Sequence, residues 1–155
     1  MATTATQPET ATAPAGLHAL ARARHEIIPV SGGLAAARAL PPGTTITVTC
    51  SPRHGIETTV TTAFTLAAEG YRAVPHIAAR LVPDRAYLEG LLDRLADHGL
   101  EDIFVVGGDA PRAEGPYPGG LELLRAIQDS GRPPGCIGVP AYPEAHASIP
   151  GDVLR

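Results

Sequence analysis

Five short apolar runs in this chain begin or end in residues able to do chemistry. Glu26 heads the run Ile27-Ile28-Pro29-Val30. The alternating stretch TTITVTC ends in Thr49-Cys50-Ser51, and YRAVPH ends in Pro75-His76. IFVV, residues 103–106, is followed by Gly107-Gly108-Asp109. CIGVPA is followed by Tyr142-Pro143-Glu144, with His146 just beyond. Carboxylates and imidazoles move protons near neutral pH, and glycines let a flat ligand lie against bare backbone. A carboxylate on an apolar strand is costly to bury, so Glu26 is expected to be paired, neutral or functional.

Each feature also has a plainer reading. Gly107 and Gly108 suit a tight turn, Asp109 suits a turn cap, and His76 suits a hydrogen-bonded strand end. Pro75 and the leucine stripes read as structural, and His25, His54 and His98 as solvent-facing. The phosphate-binding signatures GxGxxG and GxxxxGK[ST] are missing, as are a nucleophile elbow and HExxH. Gly55 at the start of a helix is a weak phosphate signal. Lysine, asparagine and tryptophan are absent, so no lysine acts here as base, Schiff-base former or phosphate ligand. Cys50 and Cys136 form no CxxC pair. They read as two free, buried thiols rather than zinc ligands, and no metal site is expected.

The elements that must position these residues follow from periodicity. In TTITVTC, Ile46, Val48 and Cys50 share one face and Thr45, Thr47 and Thr49 the other, which predicts a strand. Further strands are expected over 26–30, 71–76, 102–106 and 136–141. Helices are expected over 17–23, 32–40, 56–69, from Asp84 as N-cap to Gly99, and over 119–129. The apolar stripes are Val60, Ala63, Phe64 and Ala67; Leu88, Leu91, Leu92 and Leu95; and Leu121, Leu124 and Ile127. Strand starts recur about every 30 residues, the length of a βα unit. Short strands alternating with amphipathic helices imply an α/β protein with a parallel sheet of five strands. IFVV is then expected to be covered on both faces. In such sheets ligands bind at the carboxyl ends of the strands, where the polar residues fall.

The totals bound the function class. The 155 residues suffice for one domain, with residues 1–15 expected to be a disordered tail and 16–155 the folded part. Hydrophobic residues make up 44% and charged residues 18%, and the net charge is −4 without a basic cluster, which argues against nucleic acid as a partner. No run is long enough to span a bilayer and no secretory signal is visible, so a cytoplasmic protein is the default.

Taken in order, HEIIP, TVTCSPRHG, VPHIAAR, FVVGGD and AYPEAH resemble the methylenetetrahydrofolate reductase family over roughly residues 26–152. The resemblance implies a TIM-type (β/α)₈ barrel with FAD at the carboxyl end of the strands. It also implies hydride transfer from NADH or NADPH, through the flavin, to methylenetetrahydrofolate, giving methyltetrahydrofolate. By position Glu26 matches the family's catalytic acid, which helps open the folate's five-membered ring; burial among Ile27, Ile28 and Pro29 would keep it protonated. Asp109 matches the aspartate between flavin and pterin. Thr49, His76, Gly108, Tyr142 and His146 match FAD contacts, as do Tyr117 and Asp152 by looser alignment. Two departures stand out: Gly107 replaces the arginine of the usual RGD turn, and HEIIPV replaces FEFFPP. They match a divergent branch and keep open a reductase that uses nicotinamide directly.

A complete barrel needs about 250 residues and eight strands. The chain therefore reads as the N-terminal part of such a reductase, forming a partial barrel that is non-catalytic unless a homo-oligomer or another chain completes it. A small flavodoxin-like α/β binding module is the competing expectation. Strand order separates the two, because the flavodoxin type requires a switch.

Overall fold

The computed structural model describes residues 23–146, 149 and 151. The expected tail over 1–15, nearly all of the helix expected over 17–23, and Asp152 lie outside the described residues. Strand β1 (Arg24–Ile27) leads into helix α1 (Ser31–Arg38), followed by β2 (Thr45–Val48) and α2 (Gly55–Ala68). Then come β3 (Arg72–Ala78), a 3₁₀ turn (Ala79–Leu81), α3 (Arg85–Asp97), β4 (Asp102–Val106), α4 (Gly120–Gln128) and β5 (Cys136–Gly138).

All four strand pairings are parallel, and the order is β1-β2-β3-β4-β5. The strand-order switch of a flavodoxin-type sheet does not occur among the described strands. Right-handed crossovers between sequential parallel neighbours place the connecting helices on one side of a sheet. Burial agrees. Ile46, Val48, Ile77, Ile103 and Val105 point to one face, are almost fully buried, and pack in one cluster with Val60, Leu66, Leu88, Leu91, Leu95, Leu123 and Ile127. Each such aliphatic side chain contributes roughly 1.5–3 kcal/mol by leaving water. Val74, also buried, stands outside that cluster because it points to the opposite face.

Local signals set most boundaries. Asp84 caps α3 by accepting from the Tyr87 N–H at 2.7 Å. Gly70 and Gly99 close α2 and α3 in the left-handed region, with φ of 88° and 70°. Four expectations need correction. Strand β1 lies over Arg24–Ile27 rather than 26–30, since Pro29 lacks an N–H and the Val30 N–H folds back onto the Ile28 carbonyl at 2.8 Å. Strand β3 runs two residues past His76, because Ile77 and Ala78 find partners in Val105 and Val106. In α4 the inward residues are Leu123 and Ile127, one turn apart, and Leu121 is exposed. Strand β5 is three residues long, and its Cys136 is exposed, not buried; both cysteines are free.

Candidate functional site

The register fixes what lies on the face without helices, here called the inner face. Glu26 pairs with Thr47, Thr47 with Val74, and Asp102 with Cys136. His76 pairs with Phe104, and Phe104 with Gly138. Paired residues and those two positions along a strand share a face. Arg24, Glu26, Thr45, Thr47, Arg72, His76, Asp102 and Phe104 therefore all belong to the inner one. The Thr49 N–H continues the ladder to the Ile27 carbonyl at 3.0 Å, so Thr49 joins them. This face carries the strands' threonines, their charged side chains and His76, whereas the helix-covered face is mostly aliphatic, with His25 exposed at its edge.

Two contacts reach across intervening strands. Glu26 Oε2 lies 3.7 Å from His76 Nε2, from β1 to β3. Arg24 Nη2 meets Asp102 Oδ2 at 2.8 Å, from β1 to β4. Neighbouring strands stand about 4.8 Å apart, so these side chains span roughly 10 and 14 Å of sheet. Each contact climbs one residue pair across the sheet: Arg24 lies one pair below Glu26, and Asp102 one pair below the His76–Phe104 pair. The rings of His76 and Phe104 stack at 4.8 Å.

His76 is buried, and that burial pushes its imidazole below the ordinary value toward the neutral form, while the Glu26 carboxylate pulls the other way. Glu26 is not buried as expected. Its side chain is 62% exposed, because β1 is an edge strand and Ile28 turns outward rather than covering it. IFVV is likewise not covered on both faces: Ile103 and Val105 are buried under the helices, and Phe104 and Val106 are only half-buried.

Beyond β4 the turn holds Gly107, Gly108 and exposed Asp109. Parallel strands direct Glu26, the penultimate residue of β1, and Asp109 toward the same end of the sheet. Gly108 has φ of 88°, and a Cβ there would come within 3.0 Å of the Ala78 Cβ, so backbone packing alone demands glycine. The loop from Gly107 to Gly119 is anchored by Arg80, which the sequence reading did not single out. Its N–H donates to the Gly107 carbonyl (3.1 Å), and its guanidinium donates to the carbonyls of Pro118 (2.9 Å) and Ala110 (3.1 Å). Gly115 lies against the Val82 and Pro83 carbonyls, where no Cβ fits.

The remaining expected residues divide. Tyr117 is buried in the core cluster, which makes it a packing residue here. Tyr142 and exposed His146 meet edge-to-face at 4.6 Å beyond β5. His25 and His98 are exposed as expected. His54 is only partly so, its ring 3.0 Å from the Ser51 hydroxyl. Burial pushes the Cys50 thiol up, so it is no thiolate nucleophile. On the helix side, Arg94 and Tyr87 both donate to Glu57. Arg94 holds that carboxyl below its usual range, and burial together with the Glu57 bond pushes the Tyr87 phenol up. This clip joins α2 to α3.

Two clefts lie away from the Glu26–His76 pair, the larger of them at the amino end of the inner face. The larger, about 540 Å³, lies at the amino ends of the strands between Arg24, Tyr71, Arg72, His98 and Asp102. The smaller, about 240 Å³, lies between Pro52, Glu57, Pro83, Tyr87 and Glu114. Neither of these two includes Glu26, His76 or Asp109. The carboxyl end of the face is preferred over the clefts because it alone groups an acid, an imidazole and an aromatic floor, at the strand ends where parallel sheets bind ligands. Among the described residues no cluster of His, Cys, Asp or Glu suits a metal, and no helix is long and apolar enough to cross a membrane. No family model matches the chain.

Proposed function

We propose that the chain is the strand-β1-to-β5 portion of a flavin-dependent reductase similar to methylenetetrahydrofolate reductase, in a partial TIM-type barrel. The observation that carries this reading is the meeting of Glu26 and His76 on the inner face of a sequentially ordered parallel sheet. A carboxyl group that stays in reach of solvent and of a buried imidazole is a workable proton donor. The surroundings also suit a flat ring system: Phe104 and Val106 offer half-buried apolar surface, with His76 and Thr49 beside them and the Gly107 backbone open above. FAD, when bound, would supply hydride chemistry, with a reduced nicotinamide as donor.

The chain's own groups divide the remaining work. Thr49 and His76 present hydrogen-bonding groups along one edge of the floor. Glu26 delivers a proton to the leaving nitrogen of the folate ring. Asp109 places a negative charge on the turn that Arg80 fixes, where it opposes gain of electrons by a neighbouring ring and favours their departure. Tyr142 and His146 stand beyond β5 as further contacts.

The test is to mix the purified chain with FAD, pass it through gel filtration and record the visible spectrum. Retained flavin absorption, reduced in His76→Ala, is expected. A colourless protein fraction at saturating FAD would contradict the reading.

A further inference from the structure

We propose that His76 governs Glu26: the two form a coupled acid–base pair in which the fixed imidazole anchors and orients a mobile carboxyl. The role assigned to this pair rests on reading Glu26 as the proton donor, but its existence does not.

The two partners are held very differently. The His76 side chain is 11% exposed and that of Glu26 62%. His76 sits within β3, between β2 and β4, and is stacked on Phe104. Glu26 hangs from an edge strand. At 3.7 Å the pair is just too long for a hydrogen bond, and a movement of about 1 Å by the free carboxyl would close it. One partner is therefore an anchor and the other an arm.

Among the described residues, the side chains that face His76 from the neighbouring strands are uncharged. From β2, His76 is faced only by the hydroxyls of Thr47 and Thr49. From β4 it is faced by Phe104, and Asp102 one pair below is already paired with Arg24. Arg72, four residues back on β3, donates to the Gly43 carbonyl at 3.2 Å. Cys136 shares the face on β5. Asp109, Glu144 and His146 are exposed on the segments beyond β4 and β5.

The proton has a closed route. When Glu26 gives its proton to the leaving nitrogen, it becomes a carboxylate. An imidazolium at His76 then passes its Nε2 proton to Oε2, restoring the acid, and neutral His76 takes a proton from solvent. Burial alone would empty His76 of its proton, and Glu26 counteracts this. With His76 charged, attraction draws the carboxylate onto Nε2; with His76 neutral, the arm is released toward a ligand. His76 is thus a positioning residue.

The test is an NMR titration of the His76 ring in the full chain and in Glu26→Gln, a substitution at an exposed side chain that leaves the core intact. The His76 midpoint is expected to fall in Glu26→Gln and to recover in part in Glu26→Asp. Superposable His76 curves in the wild type and Glu26→Gln would overturn the pairing. Coupling in a chain that never retains flavin would uphold the pair and defeat the reductase reading. Flavin retention with superposable curves would do the reverse.

Discussion

The two faces of this sheet are made from alternate residues of the same strands, yet they are built for opposite purposes. On the helix side Ile46, Val48, Ile77, Ile103 and Val105 pack in one cluster with apolar residues of α2, α3 and α4, with almost no exposure. On the inner side the neighbours of those residues are threonines, two arginines, two acids, a histidine and a half-buried phenylalanine. Side chains there meet by reaching across strands, through ion pairs and ring stacking, not by close apolar packing. A face that groups titratable side chains and leaves Glu26 exposed and Phe104 and Val106 half-buried contributes less to stability and is free to meet a ligand.

Substitutions should separate the two faces by size of effect. Leu91→Ala removes a fully buried side chain under the sheet and is expected to destabilise by about 2–5 kcal/mol in urea denaturation. Thr47→Val on the inner face should change stability by less than about 1 kcal/mol in the same assay, since its hydroxyl makes only a 3.5 Å contact to the His25 carbonyl. Equal effects would erase the distinction. Gly115→Ala forces a methyl group onto the Val82 and Pro83 carbonyls and should cost about 1–3 kcal/mol, with faster amide exchange across 107–119. Asp84→Ala removes the α3 cap and should cost about 1 kcal/mol.

The smallest effect is electrostatic. His76 lies below its ordinary value of 6.5 in the folded chain, so the unfolded chain takes up its proton first as pH falls. The stability that His76 contributes is present above pH 6.5 and is lost as pH drops through the folded value. His76→Gln should flatten that part of the stability–pH curve.

What the sequence made legible was local. Alternation in TTITVTC separated the faces of β2 correctly, because a two-residue period is a property of one strand. The α3 stripe and the Asp84 cap were readable for the same reason. Glu26 was misjudged because its exposure depends on its strand's place in the sheet. Ile27, Ile28 and Pro29 are neighbours in sequence, but β1 is an edge and Ile28 turns to solvent. The Glu26–His76 and Arg24–Asp102 pairs join residues tens of positions apart across intervening strands, which no local pattern encodes. Arg80 carried a faint signal: an arginine directly after a buried strand, ahead of a Gly- and Pro-rich loop rich in carbonyls that need donors. The burial of Tyr117 in the core cluster was likewise not legible, since its neighbours Pro116 and Pro118 read as loop.

The most direct measurement of the central claim is a map of backbone amide shifts as FAD is titrated into the isotopically labelled chain. A site at the carboxyl end of the inner face predicts the largest changes at Thr49, His76, Phe104 and Gly108, with Arg72, His98 and Glu101 around the amino-end cleft unmoved. Changes centred on that cleft, with the Glu26–His76 pair silent, would contradict it.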